Sequence, residues 1–180
     1  MERDKRLIRQ IKNKGSKEAA NELISRYYIE IYTYVYKQTI DKELSMDLTQ
    51  DIFVKMLKSL EGYDENKAAF RTWLYKIATY TLVDYFRSKY YKQRIMHRDI
   101  EEIDICDKED MVLSLEYKQD VEKVVTIVNR LDALYQQIFR LKIFGGYTFL
   151  EISNMLKLPE STVKTKYYSM IKKIRKVYEE

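Results

Sequence analysis

The sequence predicts an all-α protein: two small helical domains joined by a flexible acidic linker. Three observations carry that expectation. Apolar residues recur at three- and four-residue steps through most of the chain, and no stretch alternates as a strand would. One Pro and four Gly in 180 residues leave few sites for tight turns. Charge switches sharply in the middle: Arg87 to Arg98 holds five Lys or Arg and no acid, whereas Asp99 to Glu122 holds ten acids and two lysines.

Each element follows from its pattern. Glu2 to Lys14 reads as a charged helix ended near Gly15. Ser16 can cap the next helix, which runs to about Gln38 with Leu23, Ile24, Tyr27, Ile31, Tyr34 and Val35 as its apolar stripe. A third helix spans about Asp41 to Leu60, with Leu48, Ile52, Met56 and Leu60 in register. Glu61 to Asn66 reads as a loop. A fourth helix begins near Ala69 and continues to about Tyr91, burying Leu74, Ile77, Ala78, Thr81, Leu82 and Tyr85. Residues 92–112 have few aromatics and weak periodicity, and read as the linker. Periodicity resumes with Leu115, Val121, Val124, Val125, Val128 and Leu131. A further helix from about Ala133 to Phe144 carries Leu134, Ile138 and Leu141 and ends at Gly145-Gly146. The domains are therefore 1–91 and 113–180.

The last stretch is the most informative. Phe149, Ile152, Met155 and Leu156 line one face of a short helix. Thr148 and Glu151 form a capping-box pattern at its start. Leu158-Pro159 ends it, because Pro removes a donor and restricts the residue before it. A second helix from about Glu160 buries Val163, Tyr167, Met170, Ile171 and Ile174. From Ser161 to Lys176 it holds six basic residues and no acid. Two short helices, a tight turn and a basic, hydroxyl-rich second helix describe a helix-turn-helix, whose second helix can enter a DNA major groove. An ordinary helical hairpin with a solvated basic face shares the pattern. Lys157 stands where such turns often carry Gly; a positive φ there would cost it about 1 kcal/mol.

Composition narrows the function. The net charge of +5 favours a polyanionic partner. Cys106 is the sole cysteine, so no disulfide framework exists and a reducing compartment fits. No signal peptide or membrane-length apolar run is visible, which predicts a soluble, cytoplasmic protein. From Tyr63 to Tyr91, aromatics (Phe70, Trp73, Tyr75, Tyr80, Tyr85 and Phe86 among them) interleave with Lys67, Arg71, Lys76, Arg87 and Lys89. That mixture suits single-stranded nucleic acid, whose bases stack on rings while cations follow the backbone. Core packing accounts for aromatics at helical spacing equally well.

Two sets of motifs then resemble the bacterial sigma factors of the extracytoplasmic-function (ECF) type, within the sigma-70 family. Asp47-Leu48-Thr49-Gln50-Asp51-Ile52-Phe53, Tyr63-Asp64, Phe70-Arg71-Thr72-Trp73-Leu74-Tyr75-Lys76-Ile77-Ala78 and Asp84-Tyr85-Phe86-Arg87 are similar to the family's region 2. Gln137-Ile138-Phe139-Arg140-Leu141, Gly146-Tyr147-Thr148, Glu151-Ile152-Ser153, Leu156 and Pro159-Glu160-Ser161-Thr162-Val163-Lys164-Thr165-Lys166 are similar to region 4. The resemblance covers most of the chain.

The resemblance implies that the protein binds core RNA polymerase, recognises the −10 and −35 elements of promoter DNA, and promotes opening of the duplex. It implies polymerase contact through Asp47, Gln50, Asp51 and Phe53. It implies that Tyr63, Asp64, Asn66, Lys67, Phe70, Arg71, Trp73, Lys76 and Tyr80 read the melted −10 element. Trp73 matches the first of two tryptophans that wedge the duplex apart in primary sigma factors; Leu74 replaces the second. Duplex −35 recognition would fall to Ser161, Thr162, Lys164, Thr165, Lys166, Tyr168 and Ser169. Many members carry Arg where Lys164 and Lys166 stand, and Lys lacks the planar fork that reads guanine. The acidic linker would enter the polymerase cleft. Members are usually held by an anti-sigma factor, often membrane-bound.

Enzyme chemistry finds no support in the sequence, and neither a cofactor nor a small-molecule substrate is expected. His97 is the only histidine, Cys106 has no partner for a metal site, and no Gly-rich phosphate loop occurs. Two rivals make different forecasts. A stand-alone helix-turn-helix regulator would bind duplex DNA tightly without polymerase. A helical adaptor for acidic proteins would show no nucleic-acid effect.

Overall fold

A computed structural model describes the backbone of residues 2–88 and 110–179, with side chains over 2–88 and 119–176. These residues form eight α-helices and no strand: α1 Glu2–Lys14, α2 Lys17–Thr39, α3 Lys42–Ser59, α4 Phe70–Arg87, α5 Asp110–Asn129, α6 Ala133–Phe139, α7 Phe149–Leu156 and α8 Glu160–Glu179. A 3-10 turn at Leu60–Gly62 follows α3, and a π turn at Arg140–Phe144 extends α6.

The helix starts are chemical. Ser16 Oγ accepts from Ala19 N–H at 3.2 Å, and Asp41 Oδ1 accepts from Leu44 N–H at 3.0 Å. Each oxygen satisfies a donor that the first turn leaves without an intrahelical partner. Thr148 and Glu151 close the capping box that the sequence predicted. α7 ends on Lys157 at φ 56° and ψ 47°, so the left-handed position is filled by Lys. Ile40, at φ 52°, closes α2 in the same way.

Two boundaries differ from the sequence reading. α4 stops at Arg87 and Ser88 is extended, with its Oγ donating to Tyr85 O at 2.7 Å. A serine hydroxyl bonded to a nearby carbonyl competes with continuation of the helix. At the other side, α5 already includes residues 110–112, which the periodicity had left in the linker. The rest of the acidic linker, with His97, Glu101, Glu102 and Cys106, lies outside the described residues.

α2, α3 and α4 pack around Leu23, Ile31, Val35, Ile52, Met56, Leu74 and Leu82, all fully buried, with α1 seated by Leu7 and Ile8. α8 packs across α6 and α7 through Val163, Met170 and Ile174. These are the stripes that the three-and-four spacing marked. The two groups also pack on each other, α4 against α6 and α7, and α2 against α5. Ile138, Leu141 and Tyr147 thereby join the same core as Leu74 and Ala78.

A chain of polar groups crosses that contact. The Arg140 guanidinium is fully buried. It donates to Gln38 Oε1 at 2.7 Å and to Asn129 Oδ1 at 2.6 Å, and lies 4.4 Å from the centre of the Phe86 ring. Tyr147, also buried, meets Tyr75 edge to face at 5.4 Å. Gly145 makes room for it: a Cβ there would stand 2.8 Å from Leu141 O and 2.9 Å from the Tyr147 ring.

Burial pushes the phenols of Tyr27 and Tyr147 up to about 12, for Tyr147 against the opposing pull of the Arg71 cation. In the unfolded chain a phenol titrates near 10. Both groups thus favour the folded state fully below pH 10, and that contribution is lost as pH rises from 10 through 12. Urea unfolding should show a midpoint that falls over this interval. The fall should be shallower in Tyr27→Phe, which cannot ionise; an unchanged slope would exclude Tyr27.

Candidate nucleic-acid interface

Three surfaces carry the residues that the sequence marked. The first is one face of α3. Asp47, Gln50 and Asp51 are exposed together, because steps of three and four return to the same side of a helix. Val54, 47% exposed, continues the face one turn on. Sequence reasoning missed it, although its spacing from Asp47, Gln50 and Asp51 was the available signal. Phe53 does not share the face. It is buried and stacks on Tyr28 at 6.1 Å, supporting the surface from beneath.

The second surface is the loop before α4 with the outer side of that helix. Tyr63, Phe70 and Trp73 form an aromatic cluster with centroid separations of 4.9–5.8 Å, joined by Tyr27 at 5.2 Å from Phe70. Tyr63 and Phe70 are buried and Trp73 is half-buried. Leu74 is fully buried, so of the two only Trp73 reaches the surface. Tyr63 Oη donates to Ala68 O at 2.9 Å and closes the loop on itself. Asp64 Oδ1 accepts from the Asn66 backbone N–H at 3.0 Å, and Lys67 pairs with Asp64 at 3.3 Å. The Asn66 amide, then Lys67, hold the Asp64 carboxyl below its ordinary range.

This arrangement leaves Asn66 and Lys67 exposed at the loop tip, with Tyr80 exposed farther along α4 and Lys76 Nζ 5.8 Å from its ring. Arg71 is engaged elsewhere. Its guanidinium meets Glu30 at 2.5 Å, lies 4.7 Å from the Tyr75 ring centre, and donates to Tyr147 Oη at 3.4 Å. Arg71 thus sits at the contact between the two helical groups.

The third surface is the helix-turn-helix. Ser161, Lys164, Thr165, Tyr168, Ser169 and Lys172 are exposed along α8, opposite the Val163, Met170 and Ile174 stripe. Tyr168, 61% exposed, packs one edge on Phe149 and Tyr167. Lys164 pairs with Glu160 at 2.7 Å, one turn back, which holds its ammonium above the usual lysine range. Thr162 is half-buried. Lys166 turns the other way, 4.7 Å from the Tyr135 ring centre, beside α6. The structure therefore gathers five of the seven marked α8 residues on one open face and sets Thr162 and Lys166 aside from it.

Among the described residues no cluster of His, Cys, Asp and Glu could hold a metal ion, and no helix is long and apolar enough to cross a membrane.

Comparison with known proteins divides the chain where these surfaces do. Residues 23–90 match the family description Sigma-70 region 2, and residues 122–174 match Sigma-70, region 4. Across 96% of this chain and 95% of the relative, it is 28% identical to the ECF RNA polymerase sigma factor SigW of Bacillus subtilis. Its fold is similar to CnrH solved in complex with the cytosolic domain of CnrY, with a TM-score of 0.60 at 19% identity, covering 98% and 97% of the two chains. It is also similar to the sigma factor RpoE solved with the anti-sigma factor NepR from Bartonella quintana, with a TM-score of 0.55 at 14% identity over 88% and 96%.

Proposed function

The chain belongs to the sigma-70 family, with its two matched regions on the two helical groups, and from that premise we propose how each surface serves promoter recognition. The protein is an alternative sigma factor of the ECF type: it joins core RNA polymerase and directs it to its own promoters. The observation that carries the reading is the open face of α8, basic and rich in hydroxyls, in the same chain as an aromatic loop and helix matching region 2. Lys164, Thr165, Tyr168 and Ser169 are positioned to meet the duplex −35 element, with Ser161 at the helix start. Lysines secure phosphates while Thr and Ser bond either phosphate or base edges.

The −10 element is read by the loop at Tyr63–Lys67 and by Trp73, Lys76 and Tyr80. A base turned out of the stack needs a ring to lie on and polar groups at its edge. Asn66 and Lys67 supply the polar groups, and the half-buried Trp73 supplies the ring. Phe70 and Tyr63 hold that ring from behind. The acidic face of Asp47, Gln50 and Asp51 binds a basic surface of the polymerase. A cytoplasmic location follows from joining the polymerase, and an anti-sigma partner fits this reading, since the similar sigma factor RpoE was solved with the anti-sigma factor NepR.

Run-off transcription from host DNA by sigma-free core polymerase tests the proposal. Added protein should create new, specific start sites; none on any host fragment would end the reading. Lys164→Ala should then lower transcription from the preferred −35 sequence about tenfold. Equal loss on scrambled −35 sequences would make Lys164 a phosphate contact. A stand-alone regulator would instead bind the same DNA tightly without polymerase.

A further inference from the structure

The region 2 match begins at residue 23, so α1 stands outside it. Yet α1 reaches the loop that precedes α4. Lys12 Nζ donates to Glu61 O at 2.9 Å and to Tyr63 O at 2.7 Å. One turn back, Arg9 meets the Glu65 carboxylate at 3.1 Å, and Lys5 meets its other oxygen at 3.5 Å. Three cations at positions 5, 9 and 12 share one side of the helix, as steps of four and three require.

α1 is itself firmly seated. Leu7 and Ile8 are buried in the core. Asp4, 5% exposed, accepts from Arg26 Nε at 3.0 Å and Tyr27 Oη at 3.1 Å, which ties α1 to α2. Tyr27 in turn lies against Phe70, inside the aromatic cluster. Besides the Tyr63–Ala68, Asn66–Asp64 and Lys67–Asp64 contacts already described, the loop is held by few bonds of its own. Its backbone bonds are Tyr63 N–H to Leu60 O and Lys67 N–H to Asp64 O, each within a single turn. Charge-assisted bonds to carbonyls are stronger than neutral ones and fix the direction of the peptide planes they hold. A site aligned to within a fraction of an ångström depends on such outer supports.

We propose that α1 is the positioning element of the −10-reading loop, with Lys12 as its principal residue and Lys5 and Arg9 acting through Glu65. Lys12 touches no DNA in this role. It holds the Glu61 and Tyr63 carbonyls so that Asn66 and Lys67 arrive at the unpaired base in one orientation. The loop is then ordered before DNA binds, and the cost of ordering it is not subtracted from recognition. The inference rests on the reading that residues 63–67 meet the −10 element.

The test uses holoenzyme made with the full chain, transcribing a library with a randomised −10 element and a fixed −35 element. Lys12→Met keeps the aliphatic stem and removes the donors. It should reduce discrimination among −10 sequences about tenfold while leaving polymerase binding unchanged, and Lys12→Arg should restore discrimination. Uniform loss across all −10 sequences would show a phosphate contact or a general folding defect, and either overturns the proposal, as does unchanged discrimination. Asn66→Ala and Lys67→Ala in the same library separate the two ideas. If they alter −10 preference and Lys12→Met does not, α1 is not the brace. If neither alters it, the loop does not read that element, and both ideas fall.

Discussion

Arg140→Ala lowers the stability of the protein by about 3–5 kcal/mol, the range for truncating a large, fully buried side chain. The loss has three sources. Gln38 Oε1, which is buried, loses the donor it accepts from, at a cost of about 1–3 kcal/mol, and the half-buried Asn129 loses a hydrogen bond. The attraction between the guanidinium and the Phe86 ring disappears. A void is left where the largest fully buried side chain stood. For a chain of this size the change corresponds to a fall in Tm of about 10 °C. Gln38→Leu should also be costly, because it takes an acceptor from a guanidinium that stays buried and charged. The two changes should also be non-additive by about 1–3 kcal/mol, since they remove one shared bond. A double-mutant cycle in urea measures this; strict additivity would mean that the 2.7 Å bond contributes nothing in solution.

Asp51→Arg weakens binding to core polymerase by tenfold or more and leaves the unfolding midpoint unchanged. The residue is exposed on α3, and among the described residues no ion pair is lost with it. Reversing a charge replaces an attraction with a repulsion across the same short distance, which is why the effect exceeds that of neutralisation. Asp51→Asn should therefore lie between the two. Val54→Ala, on the same face, should weaken binding modestly and without dependence on salt, as expected for an apolar contact. Affinity for polymerase, measured by fluorescence anisotropy at two ionic strengths, separates these cases. Wild-type affinity in Asp51→Arg would remove that residue from the surface.

The helices were legible because their signals are local. Thr148 and Glu151 sit three apart in the sequence and close the same box in space. Leu48, Ile52, Met56 and Leu60 are buried as their spacing required. Lys157 was marked as a site of backbone cost, and it adopts the left-handed conformation. What could not be read depends on partners far away in the chain. Arg140 lies in the run Ile138-Phe139-Arg140-Leu141, where its position in a buried register was the only hint. Nothing in one sequence ties it to Gln38, 102 residues earlier. Lys12 and Glu65 looked like solvated charges for the same reason. Phe53 and Phe70 fell among predicted contact residues because an aromatic in a motif looks the same whether it faces a partner or the core. The boundary at residue 110 was obscured by acids, which serve a linker and a first helical turn equally well.

The packing of α4 against α6 has a consequence measured in length. The two promoter elements lie about 25 base pairs apart by their own coordinates, or about 85 Å along the duplex. A compact chain of this size has a radius of gyration of about 16 Å. The closed molecule is thus too short a ruler for its own promoter. If one molecule is to hold both elements along a straight duplex, the Arg140 contact has to part, and the free energy that keeps it shut opposes that engagement.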